Sequence, residues 1–473
     1  MTTGRDRRPL TGFLGAVGVS ALGTRMSFLA LPWLVLTTTG SATLTGVVAF
    51  TEMAPYVTVQ ALGGPLVDRL GAWRVSVGTD LLAAVFVGLV PVLSAARLLP
   101  LPVLALLVAV AGAARGAGDS ARDVMVPGVR EMADIPIERC SGLYDGVSRV
   151  ASLVGLPLAG ALVAVTSAVS VLAIDAGTFA ASALLVAALV PRRAQPPRHA
   201  DGEGPYLAAL AEGFRYLRGD RLLVTIAAMI LVTNFVDQAG GAVLWPVWAH
   251  QVARSSVALG LLGGALGVGS VAGNALTTWL GPRLPRRMTY AVGFFLGGAP
   301  RFLALALAAG VSPVLVVVFV VGGLGVGGIN PVVGAVEYER VPRRLQARVL
   351  GAVGASAWAG IPFGSLAGGV AVSAFGLRPA LLAAAAIYGV TTLAPFVFPV
   401  WRQMDRRPDL PSTPSSPPAP STPSAPSGPP APSSPPAPST PSAPSAPSAP
   451  STPGPAAPAE HDPSERTKVS RID

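Results

Sequence analysis

Five ionisable side chains stand where water is scarce. Arg25, Glu52, Asp175, Asp237 and Arg301 each fall inside a long apolar run. A charge left alone in hydrocarbon is costly, so such groups are kept where they pair, recognise a charged solute or move a proton. Bond-making chemistry finds no comparable set of residues. His199, His250 and His461 are scattered, Cys140 is the one cysteine, and no cluster has metal-ligand spacing. The glycine-rich run 322–328 lacks the Lys-Ser/Thr that completes a phosphate-binding loop. Its small residues suit close helix packing instead. No enzyme activity, cofactor or metal is expected, and energy would come from an ion gradient, with protons the expected ion. Among the aromatic residues, Trp33, Tyr56, Phe235, Trp245 and Trp248 could contact a bulky apolar solute. For Trp245 and Trp248, anchoring at the membrane interface is the preferred alternative.

The elements that position these charges read as membrane helices. The chain has 473 residues, 51% hydrophobic and 12% charged, with a mean hydropathy of +0.58. A soluble domain carries charge on about a quarter of its residues. The uncharged stretches 98–114, 150–174 and 379–400 approach or exceed the roughly 20 residues that span a bilayer. Twelve helices are predicted, at 12–36, 43–66, 75–95, 101–122, 141–165, 168–190, 222–248, 257–280, 288–309, 313–337, 346–372 and 376–400. The net charge is +10. Its distribution excludes nucleic-acid binding, because the arginines sit in short loops between apolar runs. One set of loops holds Arg5, Arg7 and Arg8, then Arg69 and Arg74, and a similar excess at every second loop thereafter; the alternate loops hold Arg97, Arg254 and Arg378. Positive loops stay cytoplasmic, so both termini are expected inside, in a bacterial inner membrane. Lys468 is the only lysine, which points to a GC-rich genome. The charged start and the first apolar run read as an uncleaved helix, and Cys140 as an incidental thiol near the cytoplasmic surface.

The chain divides into two six-helix halves, 1–190 and 222–404. They are joined by a linker at 191–221 and followed by a Pro/Ser/Ala-rich tail at 405–473 that is expected to be disordered. Within the linker, Leu207, Leu210, Phe214 and Leu217 recur at helical spacing, which predicts an amphipathic helix at the cytoplasmic interface. The halves repeat: Gly155-Leu156-Pro157-Leu158-Ala159-Gly160 is echoed 205 residues on by Gly360-Ile361-Pro362-Phe363-Gly364. Two similar halves are what a rocking carrier requires, with the solute site between them. Helix 1 runs outward and helix 2 returns. At about 1.5 Å per residue, Arg25 lies roughly 17 Å and Glu52 roughly 14 Å from the outer ends of their helices. These depths predict an Arg25–Glu52 salt bridge, with Glu52 either exchanging a proton or serving as a static structural partner. Asp80, Arg115, Asp119, Asp145 and Arg149 read as a separate structural network near the cytoplasmic ends of helices 3, 4 and 5.

The most specific motif is Gly64-Pro65-Leu66-Val67-Asp68-Arg69-Leu70-Gly71-Ala72-Trp73-Arg74. Gly71 allows a tight turn, and Asp68 is expected to face a helix N-terminus, whose dipole favours an anion. This stretch resembles the G-x-x-x-D-R-x-G-x-x-R loop of the major facilitator superfamily. The resemblance implies a cytoplasmic latch made of Gly64, Asp68, Arg69, Gly71 and Arg74. The corresponding loop of the second half, 281–287, keeps the positive charge and lacks the aspartate. Gly155, Pro157 and Gly160 resemble the helix 5 motif associated with antiporters. The segments 30–36 and 172–179 make residues 10–400 similar to the macrolide-efflux and enterobactin-exporter branch. The resemblance implies an all-α membrane protein of the major facilitator fold. Its expected activity is proton-coupled efflux of an amphipathic small molecule by a monomer in the lipid bilayer. Arg25, Glu52, Asp175, Asp237 and Arg301 would lie on the substrate or proton path. An uptake carrier of the same fold, or a non-transporting receptor or scaffold, is the alternative.

Overall fold

The computed structural model describes residues 7–192, 206–280 and 283–405. The tail beyond Asp405 and the linker segment 193–205 lie outside the described residues. The first half comprises α1 (Arg8–Thr39), α2 (Ala42–Leu62), the short α3 (Gly64–Leu70), α4 (Ala72–Ala95), α5 (Leu101–Ala133), α6 (Ile137–Val165) and α7 (Ala168–Leu189). The second begins with α8 (Tyr206–Gly219) and α9 (Arg221–Ala239). The helix of α9 runs on through a π-helical Gly240–Leu244, α10 (Trp245–Trp248) and a π-helical Ala249–Ala253. Then come α11 (Ser256–Leu280), α12 (Arg286–Gly297), α13 (Ala299–Leu307), α14 (Pro313–Gly327) and α15 (Ile329–Arg340). The half ends with α16 (Gln346–Trp358), α17 (Ile361–Phe375), α18 (Leu377–Thr392) and α19 (Ala394–Val397).

Among the described residues, 11 helices or continuous helix pairs are long and apolar enough to cross a membrane. Helix α2, 21 residues long, completes the twelve. Glu52, Tyr56 and Gln60 lower its hydropathy, and those residues face the interior described below. The breaks inside spans have local causes. Pro246 supplies no backbone N–H, and the helix widens to π geometry just before it. At Gly298 the chain leaves helical geometry between α12 and α13, and the Tyr388 ring occupies the place of a side chain: a Cβ there would lie 2.0 Å from it. The run 322–328 packs α14 closely on α11, with Gly323 against Gly269 and Gly327 against the Ser270 carbonyl.

Helix α8 packs against α16. Leu217 and Phe214 join Val349, Ala352 and Val353 of α16 in a common apolar cluster. Glu212 pairs with Arg348, and the Tyr216 hydroxyl donates to the Arg340 carbonyl at 3.1 Å. The amphipathic segment thus packs on helices of the second half.

The halves meet at the side of the bundle opposite the N-terminus. There α2 crosses α17 and α6 crosses α11, each through a glycine pair. A Cβ on Gly46 would lie 2.5 Å from the Ser365 carbonyl, and one on Gly369 2.7 Å from that of Ala42. In the related position, a Cβ on Gly160 would lie 2.7 Å from the Ser256 carbonyl, and one on Gly260 2.8 Å from that of Leu156. Thr43 to Ser373 at 2.6 Å and Ser256 to the Gly160 carbonyl at 3.0 Å add hydrogen bonds across each crossing. Each half thus contributes one glycine to each crossing, whereas the echoed Gly360 and Gly364 pack on α9 of their own half.

Candidate functional site

Helix α5 carries Arg115, Asp119, Arg122 and Asp123 at helical spacing, so the four share one face. That face looks onto α1, α2 and α4. Arg115 forms an ion pair with Glu52 of α2, and its guanidinium lies 5.5 Å from the centre of the Tyr56 ring. The Tyr56 hydroxyl donates to Asp119 at 3.1 Å; the other Asp119 oxygen accepts from Arg122 at 3.0 Å. Arg122 also pairs with Asp80 of α4 and reaches the Ser20 hydroxyl of α1 at 3.2 Å. Ser182 of α7 donates to Asp80 at 2.7 Å. A continuous polar chain therefore runs from Glu52 to Ser182 through the first half. The Arg122–Asp80 end is buried, which is sustainable because each charge has a partner and further hydrogen bonds.

The Arg25–Glu52 bridge expected from helix depth does not form. Glu52 is turned toward Arg115, while the stem of Arg25 packs on Gly155 of α6. Depth along two antiparallel helices is set by residue count, but rotation about each axis is set by packing. For the same reason Arg115, Asp119, Asp80 and Glu52 are one system rather than two groups. Asp145 and Arg149 form no ion pair among the described residues and stay outside it.

A cavity of about 410 Å³ opens between the halves on the N-terminal side of the seal. Arg25, Arg115, Asp119 and Arg122 supply its charged wall, and Tyr56 with Trp358 of α16 its aromatic wall. Gln238 reaches it from the second half. Glu52 lies at the inner end of this wall. It also borders a narrow apolar space under the seal, lined by Phe28, Pro32, Thr45, Ala49 and Ala242, and a second one inside the first half with Asp175. Asp175 accepts hydrogen bonds from Ser27 and from Thr178, the latter at 3.1 Å. Its partners are hydroxyls rather than a guanidinium in contact.

The second half holds a separate pair. Arg301 donates to Asp237 at 2.9 Å, and Tyr388 donates to the other Asp237 oxygen at 3.1 Å. Arg301 is buried, its guanidinium 5.3 Å from the Trp245 ring centre. Trp245 packs edge-on against Phe319, and Trp248 is fully buried, so neither tryptophan is an interfacial anchor. Asp237 and Arg301 lie beside the cavity wall rather than on it. Cys140 is likewise interior, packed in the apolar cluster between α5 and α6.

The motif loop folds as α3, a short helix ending at Gly71, whose φ of 90° suits only glycine. Gly64 opens that helix. Asp68 is exposed in its last turn and accepts no hydrogen bond among the described residues, so it does not cap a helix N-terminus. Arg69 and Arg74 are also exposed. The loop contacts α2, α4 and α5 of its own half. In the other motif, Gly155 accommodates Arg25, Pro157 meets Gly264 of α11, and Gly160 forms the seal.

The chain matches the Major Facilitator Superfamily over residues 13–239 and 228–440. The chain belongs to the Major Facilitator Superfamily. It is 31% identical over 408 residues to the multidrug efflux pump Tap of Mycobacterium tuberculosis (strain ATCC 25618 / H37Rv), covering 85% of this chain and 96% of that protein. Its identity to Tap of Mycolicibacterium fortuitum is 28% over 384 residues, covering 80% and 93%. Two solved transporters share the fold. The nucleoside transporter NupG gives a TM-score of 0.63 at 15% identity, covering 83% of this chain and 100% of that one. A bacterial homolog of the human lysosomal transporter Spinster gives 0.65 at 14% identity, covering 86% and 100%. The chain is accordingly a multi-pass membrane transporter of this superfamily.

Several side chains at this candidate site were not marked by sequence reasoning. Arg122 and Asp123 complete the 115, 119, 122, 123 spacing, a helical stripe that could have been read directly. Ser27, Ser182 and Tyr388 are ordinary residue types in apolar runs, and only packing reveals them as partners of Asp175, Asp80 and Asp237.

Proposed function

We propose that this transporter exports amphipathic small molecules from the cytoplasm in exchange for protons, by alternating access, in the bacterial inner membrane with both termini inside. The arginine-rich loops support a cytoplasmic position for the cavity side. The resemblance to multidrug efflux pumps over most of both chains supports export rather than uptake. The observation that carries the coupling is the place of Glu52. It sits between the cavity and the narrow space under the seal, paired with Arg115. When the seal parts and the cavity side closes, the water reaching this carboxylate changes sides. A group whose access alternates is one that can take a proton from one side and release it on the other. Asp175 borders the same compartment and is the second carboxylate of the proposed path.

Proteoliposomes carrying an imposed pH gradient test this. Glu52→Gln is expected to abolish proton-driven accumulation of substrate while allowing downhill exchange. If Glu52→Gln protein still concentrates substrate, Glu52 is not the coupling group, and Asp175→Asn becomes the next variant to measure.

A further inference from the structure

Three guanidinium groups face the cavity, and they are not equivalent. Arg115 is neutralised by contact with Glu52, and Arg122 by Asp80 and Asp119. Arg25 forms no ion pair or hydrogen bond among the described residues, and its side chain is open to the cavity. Arg115 and Asp119 share the cavity wall with it. Neither pairs with it. Arg115 has the same sign, and Asp119 is engaged by Arg122 and Tyr56 instead. Asp123, the remaining lining carboxylate, accepts from Tyr144 at 2.9 Å.

The position of Arg25 is built by a neighbouring helix. A Cβ at Gly155 would lie 2.6 Å from the Arg25 Cβ, so only glycine lets the stem pass at this register. One turn further along α1, Phe28 adds an apolar surface to the same wall. Tyr56 and Trp358 stand across from it as a parallel aromatic pair, with ring centres 6.4 Å apart. The cavity thus offers one unneutralised, planar, five-donor cation beside apolar and aromatic faces. A guanidinium in that setting matches an oxyanion, which it can grip by two parallel hydrogen bonds, while the rest of the molecule lies against the rings.

We propose that Arg25 is the recognition residue for an oxyanion on the transported molecule. The preferred substrates would then be amphipathic molecules bearing a carboxylate or an acidic enol or phenol. This rests on the reading of the cavity as the substrate site. Gly155 acts as a positioning residue that holds the guanidinium in place.

The test uses the full-length purified transporter and a matched probe pair: a fluorescent naphthalene carboxylic acid and its neutral methyl ester. Binding is measured by fluorescence, and folding is checked by thermal unfolding. The wild type is expected to bind the acid at least tenfold more tightly than the ester. Arg25→Gln should remove that preference and leave ester binding within about twofold, and Arg25→Lys should retain part of it. Gly155→Ala, which displaces the stem without removing the charge, should weaken acid binding selectively; it also serves if Arg25→Gln does not fold. Equal binding of acid and ester by the wild type, or an undiminished acid preference in Arg25→Gln, overturns the assignment. Trp358→Ala separates the two levels of the argument. Loss of both probes in Trp358→Ala with no selective effect of Arg25 sinks only the oxyanion assignment. Unchanged binding of both probes in Trp358→Ala and Arg25→Gln removes the cavity itself as their site.

Discussion

A single methyl group placed at Gly46 should turn the carrier toward its other conformation. In the structure a Cβ at this position would lie 2.5 Å from the Ser365 carbonyl, against an ordinary contact of 3.4 Å or more, so α2 and α17 must part by about 0.9 Å. Neither backbone can yield by rotating a side chain. Overpacking of this kind costs about 1–3 kcal/mol. The cost falls only on the conformation in which the seal is closed, because the crossing exists only there. The gain in helix propensity from Gly to Ala, up to about 1 kcal/mol, is common to both conformations and cancels. At about 1.4 kcal/mol per factor of ten, the ratio of sealed to opened carrier should fall about 5- to 150-fold. Cysteine accessibility reads this out, since Cys140 is buried and can be replaced to give a clean background. A reporter in Ser148→Cys, on the cavity wall, should lose reactivity toward an impermeant thiol reagent. One in Ala49→Cys, under the seal, should gain it from the opposite side. Gly160→Ala should act in the same direction through the second crossing. Gly78→Ala, where a Cβ meets nothing within 4 Å, should leave both reporters unchanged. If Gly46→Ala labels as the wild type does at both reporters, the glycine crossings do not set the conformational balance.

Two further outcomes follow from the positions of the motif loop and of α8. Asp68→Asn should slow transport while leaving the unfolding temperature within experimental error, because Asp68 is exposed and forms no hydrogen bond or ion pair among the described residues; equal transport rates would remove the latch role. On α8, Gly213→Ala should unseat the helix, since a Cβ there would lie 2.1 Å from the Arg348 carbonyl. Glu212→Ala, which breaks an ion pair 35% and 40% exposed, should cost about 1 kcal/mol or less. Limited proteolysis after the linker should be faster in the first variant and unchanged in the second; the reverse order would contradict the docking of α8.

The sequence by itself determined the membrane-helical class, the count of spans, the two-half repeat and the identity of the motif loop. These follow from periodicity, apolar run length and short-range spacing, which depend on residues close together in the chain. It also marked the residues that matter for charge, because Arg25, Glu52, Asp175, Asp237 and Arg301 are conspicuous against an apolar background. What it did not determine was who pairs with whom. Helix counting placed Arg25 and Glu52 at similar depth, but depth fixes one coordinate, and the rotation of each helix about its axis fixes the other. That rotation is decided by close approaches such as Gly155 on Arg25 and Gly46 on Ser365, made between residues far apart in sequence. The consequence is specific: Glu52 meets Arg115, Asp237 meets Arg301, and Arg25 is left facing the cavity. Tertiary packing also moved Trp245 and Trp248 from an expected membrane interface to the interior, since their helix turns those side chains toward neighbours that only the assembled bundle provides.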